Sequence, residues 1–177
     1  MRGGHVFVDE SKAKDFLLVA AVMLPNGVDA ARRSMRTLQL QGQSELHMVR
    51  ESDGRRRTIL ATITLLEPQV TIYRAPRDGR TELSRRETCL RTLVADCAAA
   101  GHDHLSLDRD ASMVSRDNQQ IIEAARKAGI GGTLRYQHET AASEPLLAIP
   151  DAVAWAWAKG GAWRALCGGI TLVVRDV

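Results

Sequence analysis

Asp9 ends a short apolar stretch, HVFVD at residues 5–9, and Glu10 and Ser11 follow before the chain returns to hydrophobic residues at Phe16. A carboxylate at the end of a buried strand is unfavourable unless a base, a capped turn or a metal ion pairs with it. Two further acids have comparable settings. Asp108 ends the segment HLSLD at 104–108, and Asp151 follows Pro150 at the start of the apolar run AVAWAWA. Alternation along a strand puts Asp9 on one face with His5 and Phe7, and Asp108 with His104 and Ser106. If those strands are adjacent, the two aspartates emerge side by side, with Asp151 as a natural third. Three converging acids repel one another unless a cation sits among them. Magnesium or manganese suits such a set, because both are hard ions that favour carboxylate, water and phosphate oxygens. A pair of such ions can clamp the attacking and leaving oxygens of a phosphodiester. Each acid taken singly also fits an ordinary turn or a helix start complementing the macrodipole; their joint placement is the signal.

The elements that must position these residues can be read from patterning. Residues 5–9 and 70–75 read as strands, and the apolar run 16–24, closed by Pro25-Asn26-Gly27, as a strand buried on both faces. The gap between the first two strands is too short for a helical crossover, so they pair antiparallel. Helices are expected over 28–41, 54–66 and 81–100, the last with Thr81 as N-cap and Gly101 as its stop. A strand at 104–108, a helix from a Ser115 cap to Lys127, a strand at 133–137 and a helix through Lys159 complete the order. Pro150 falls in the first turn of that last helix, where proline is tolerated. The tail at 168–174 reads either as an extra edge strand or as a loose end. A meander followed by strands reached through helices implies parallel pairing for the later strands. The expected fold is α/β and ribonuclease H-like: a single domain over 1–177 whose mixed five-stranded sheet has helices on both faces. Strands 1–3 form the antiparallel meander, and strands 4 and 5 run parallel to strand 1.

Other constellations are weaker. His102-Asp103-His104 lacks further ligands at zinc spacing. Trp155, Trp157 and Trp163 can stack on bases, but their helical spacing favours packing. No glycine loop has phosphate-cradling spacing, and no Gly-x-Ser-x-Gly elbow is present. The three cysteines, Cys89, Cys97 and Cys167, form no Cys-x-x-Cys pair, which points to a reducing, cytoplasmic setting. The apolar run 16–24 is shorter than the ~20 residues needed to span a bilayer, and acids interrupt the first apolar run where a signal peptide would be continuous; no membrane partner is expected. The net charge of +3 is carried mostly by arginine, clustered at Arg32-Arg33 with Arg36, Arg55-Arg56-Arg57 and Arg85-Arg86. These clusters alternate with acids, as solvated helix faces do, and leave only a slight lean toward a polyanionic partner.

Four segments, in order, resemble the family called domain of unknown function 3800. They are Asp9-Glu10-Ser11 closing the first strand, Glu45-Leu46-His47, the strand LSLD at 105–108, and SEPLLAIPD at 143–151 before the last helix. The resemblance covers residues 5 to about 160. It implies a ribonuclease H-like fold and a Mg²⁺- or Mn²⁺-dependent nuclease acting on DNA or RNA. Asp9, Asp108 and Asp151 would be the metal ligands, and Glu45 and His47 would join them in the catalytic set. His47 would bind metal, shuttle a proton or touch phosphate. Two departures stand out. Ala148-Ile149-Pro150 replaces the family's Gln-x-Ala before the final aspartate, and Glu45 precedes the third strand. In ribonuclease H the glutamate lies on the helix after that strand, where Glu82 and Glu87 stand here; Glu87 is thus the rival fourth acid. The alternative expectation is a catalytically inactive ribonuclease H-like scaffold that binds nucleic acid or a protein partner.

Overall fold

The computed structural model describes residues 3–177. β1 (His5–Ser11) and β2 (Phe16–Met23) pair antiparallel, with His5 opposite Met23 and Ser11 opposite Leu17. β3 (Gln69–Ala75) continues the meander antiparallel to β2. β2 is therefore hydrogen-bonded on both edges and covered on both faces, which accounts for its unbroken apolar sequence. β4 (His104–Asp108) lies parallel to β1, and β5 (Arg135–Glu139) parallel to β4.

The sheet has six strands, in the order β5-β4-β1-β2-β3-β6, rather than the five expected. The additional strand, β6 (Thr171–Asp176), pairs parallel with β3. Its Leu-Val-Val run satisfies a β3 edge that would otherwise be left open. β5 also starts two residues later than its pattern suggests. Thr133 is taken up in a turn, its N–H donating to the Ile130 carbonyl.

The helices are α1 (Val28–Thr37), α2 (Asp53–Leu66), α3 (Glu82–Ala100), α4 (Val114–Lys127), α5 (Ala148–Lys159) and the short α6 (Gly161–Ala165), which the pattern did not suggest. Thr81 caps α3 through the Ser84 N–H at 3.1 Å, and Gly101 ends it in the left-handed region at φ 74°. Only a residue without a Cβ adopts that conformation without strain. Ser52 caps α2, and Glu67 ends it at φ 53° before Pro68. α1 stops at Thr37, short of 41, where the chain turns at Gly42. Ser115 lies inside α4 rather than capping it. Among the described residues, no helix is long and apolar enough to cross a membrane.

Strand alternation divides the core in two. Phe7, Leu17, Val19, Ala21, Val70 and Ile72 face α1, α2 and α5. Val6, Val8, Leu18, Ala20, Leu105 and Leu107 face α3 and α4. The adjacent acids Asp9 and Glu10 are consequently sent to opposite faces. Glu10 meets Arg86 of α3, which is 5% exposed and forks onto Asp117 of α4, Nε to Oδ1 at 2.8 Å and Nη2 to Oδ2 at 2.7 Å. Removing one member of a buried ion network strands the others without compensation. Arg86→Ala is therefore expected to destabilise the fold by about 3–5 kcal/mol, read from urea unfolding. A loss below about 1 kcal/mol, the value typical of an exposed pair, would show that the network does not hold α3 and α4 to β1.

Candidate active site

β1 and β4 run in parallel register with Val8 opposite Leu107. The next residue on each strand is an aspartate, so Asp9 and Asp108 leave the carboxyl ends of neighbouring strands on the face that α5 covers. The first turn of α5 supplies Asp151. Apolar Ile149, Ala152 and Val153 seat this turn in the core and leave Asp151 half-buried toward the strand ends. Burial, then the charges of Asp151 and Asp108, push the Asp9 carboxyl well above the usual carboxylate range, with the His47 charge opposing the rise. Asp108 is also raised, chiefly by burial, with Asp151 and Glu45 adding to the rise and His47 opposing it.

Glu45 and His47 reach the cluster through local alternation. Leu46 and Met48 are 3% and 1% exposed and anchor in the core. The extended backbone between them turns Glu45 and His47 the other way. The segment SELHMVRES is polar on average, and only its tertiary setting separates two core residues from two site residues. His47 Nε2 lies 3.1 Å from Glu45 Oε1, and Nδ1 lies 3.9 Å from Asp151 Oδ1. Asp151, with help from Glu45, raises the imidazole to about 9 against opposition from burial and Arg50.

Backbone and packing contacts fix this segment to α5. The Met48 N–H donates to Asp151 Oδ2 at 2.9 Å, and the Met48 carbonyl accepts from Arg56 Nε at 2.8 Å. The Arg56 guanidinium lies 4.4 Å from the ring centroid of Trp155, one turn beyond Asp151 on α5. Trp155 in turn meets Trp163 edge-on at 5.0 Å, and all three tryptophans pack against the core. Packing between α5, α6 and the core therefore accounts for the three tryptophans.

Glu45 lies near Asp108 and His47, whereas Glu87 lies on α3 behind the opposite sheet face, 4.0 Å from Arg91. Of the two rivals for the fourth acid, only Glu45 is in the cluster. A residue absent from the sequence expectations also belongs here. Glu139 is the β5 partner of Asp108 and shares its face, and its Oε2 is buried without a hydrogen-bond partner among the described residues. Alternation in RYQHE carries the signal, because His138 reaches Asn118 of α4 on the far side. With the strand ended at 137, that signal was lost. Among the described residues, no group of three or more His, Cys, Asp or Glu side chains is arranged to hold a metal ion. The acids are neighbours without forming a closed cage.

No family model, curated protein or solved structure matches the chain.

The His47 arrangement has a direct readout. In metal-free protein the His47 ring should remain protonated at pH 8 and titrate near 9 by NMR, while Asp151→Asn should move it toward the ordinary 6.5. A folded-state pKa above the unfolded value gives stability that is complete below pH 6.5 and lost as pH rises through about 9. Titration near 6.5 in the unmodified protein would show that Asp151 and Glu45 do not hold the ring.

Proposed function

We propose that this protein is a Mg²⁺- or Mn²⁺-dependent nuclease of ribonuclease H-like fold that hydrolyses nucleic-acid phosphodiester bonds. Asp9, Asp108 and Asp151 are the proposed metal ligands, with Glu45 and His47 completing the catalytic set. One observation carries the proposal: carboxylates from β1, β4 and α5 are gathered until burial and mutual charge hold Asp9 well above its ordinary range. Such a set is unfavourable as a purely structural device and favourable once a cation joins it. The connectivity supports the same assignment. β1–β3 form a meander, β4 and β5 lie parallel to β1, and acids lie just past the β1–β4 paired residues and in the first turn of the last long helix. β6 is then an addition to the ribonuclease H-like sheet, and the resemblance to domain of unknown function 3800 accords with that order.

The donor chemistry fits a hard cation. All three proposed ligands are carboxylates, and the unpartnered Glu139 Oε2 offers a further oxygen beside Asp108. When bound, Mg²⁺ or Mn²⁺ would offset the acids' charge, lower the pKa of a bound water and stabilise charge developing on the phosphate. Asp9 must give up its proton to act as a ligand, so binding releases protons in the pH range where Asp9 is still neutral. Asp151 holds the Met48 amide and faces the His47 ring, which aligns the 45–48 segment with the acids. Glu45 orients that ring from its other nitrogen. The His47 ring, held protonated between these two carboxylates, then places a positive charge at the margin of the cluster, where a phosphate oxygen would be attracted to it.

A second reading keeps the fold and drops the chemistry: a scaffold that binds nucleic acid or a protein partner. The unclosed arrangement of the acids favours it, as does Ala-Ile-Pro before Asp151. In that reading His47 and the raised pKa of Asp9 take the place of the cation.

Incubation of labelled DNA and RNA with Mn²⁺ or with chelator separates the two. Mn²⁺-dependent cleavage, abolished in Asp9→Asn, is expected. An aspartate with a raised folded-state pKa carries a penalty that is absent below the ordinary carboxylate range and full above the raised pKa. Metal-free Asp9→Asn should therefore be at least as stable as wild type at pH 7. Saturating Mn²⁺ at a hundredfold excess over Kd should stabilise wild type by about 2.7 kcal/mol, roughly 5–10 °C in Tm for a chain this size, and should barely affect the variant. Absence of both cleavage and metal response in wild type would discard the nuclease and leave the scaffold.

A further inference from the structure

A second feature shares the sheet face of Asp9 and the same end of the sheet. A cavity of about 420 Å³ opens beside the last turn of α5, with Leu17, Trp157 and Val174 as its apolar wall, Lys14, Arg74 and Arg164 as its cations, and Asp15 and Asp176 as acids that also line it. Its volume lies within the ~300–1,000 Å³ of small-molecule sites. Leu17 is the β2 partner of Ser11, two residues beyond Asp9. Strand spacing puts the Cα atoms of Leu17 and Asp9 about 8 Å apart. α5 links the two places, with Asp151 in its first turn and Trp157 in its last.

The cations in this cavity are not equivalent. Arg74 is neutralised by Asp176 at 2.7 Å and by Asp15 at 3.8 Å. Arg164 meets no carboxylate: its Nε and Nη2 donate to the Trp157 carbonyl at 3.2 and 2.7 Å, and its guanidinium lies 4.6 Å from the indole centroid. The Lys14 carbonyl accepts from Arg77, and the Lys14 ammonium enters no ion pair among the described residues. Two uncompensated cations beside an indole and an aliphatic wall supply what a nucleotide requires: a surface for the base and positive charge for the phosphate.

We propose that this cavity is a subsite for one nucleotide of a single-stranded nucleic acid, the base lying against Trp157, Leu17 and Val174 and the phosphate on Lys14 and Arg164. Its role in cleavage, holding the strand next to the bond presented to Asp9, rests on the nuclease proposal; its binding of the strand does not.

Fluorescence anisotropy of a labelled oligothymidylate in chelator tests the binding. Lys14 and Arg164 are both exposed, so Lys14→Ala/Arg164→Ala should retain the wild-type circular dichroism spectrum. It should bind at least about tenfold more weakly, with a salt slope reduced by about 1.4, as expected for two lost contacts to a single strand. The control is Arg116→Ala/Lys127→Ala on α4, behind the other sheet face, which removes the same charge and should bind as wild type. Asp9→Asn should also bind. Trp157→Phe keeps an aromatic surface and should weaken binding less than the double cation variant. Equal weakening by the two double variants, or no binding by wild type, would overturn the subsite. Weakening confined to the cavity variant in a protein that cleaves nothing would uphold the subsite and discard the nuclease. Mn²⁺-dependent cleavage with an unchanged KM in the cavity variant would uphold the nuclease and discard the subsite.

Discussion

Mutual repulsion of the carboxylates just past the last paired residues of β1 and β4 is the constraint around which this molecule is arranged. Parallel register between two adjacent strands leaves Asp9 and Asp108 no separation to exploit, and α5 adds Asp151 on the same side. Relaxing the repulsion would require moving a strand that is hydrogen-bonded on both edges and packed on both faces. Val6, Phe7 and Val8 are each 1% exposed, so β1 cannot shift without opening both core layers. The charge is accommodated chemically instead, by the elevated Asp9 pKa, the Met48 amide on Asp151 and the imidazole of His47.

The two faces of β1 handle charge in opposite ways. Behind the sheet, Glu10 and Asp117 share Arg86, and the bidentate fork satisfies both carboxylates within the protein. In front, no guanidinium among the described residues pairs with Asp9, Asp108 or Glu139, and Glu139 keeps a buried oxygen without a partner among them. Arginine was available to this chain in quantity, so the difference is one of placement rather than composition. A closed, self-sufficient network is what a structural role requires. The open one leaves its charge to burial and to the raised pKa of Asp9.

Several of the clustered arginines are paired within the protein. Arg32 is held by Glu144 at 2.7 Å, Arg55 by Glu51 at 2.5 Å, and Arg56 by Asp53 and the Met48 carbonyl. Arg57 lies over Trp163, 5.1 Å from its centroid. Net charge is consequently a poor guide to where an anionic strand would lie. The cations left without carboxylates, such as Arg164 and Lys14, carry more information than the triplet Arg55-Arg56-Arg57 that dominates the sequence.

The sequence by itself determined the elements and most of the pairing, because hydrophobic period, loop length and cap chemistry are local properties. Strict alternation at 5–9 and 104–108, the gap of about six residues between the first two strands, and Thr81 with Gly101 bounding α3 each had one physical outcome; that β1 continues through Glu10 and Ser11 was decided by its pairing with β2. It also placed Asp9, Asp108 and Asp151 at element ends, where a site can form. Tertiary structure decided what local pattern leaves open. Whether residues 171–176 become a strand depends on a free β3 edge, not on their own preference. Choosing between Glu45 and Glu87 required knowing which sheet face each element covers. Glu139 emerged only once β5 was paired and its last residue stood beside Asp108. Leu46 and Met48 divide from Glu45 and His47 only when a core exists to receive one pair, because burial is a property of what the rest of the chain brings to a residue.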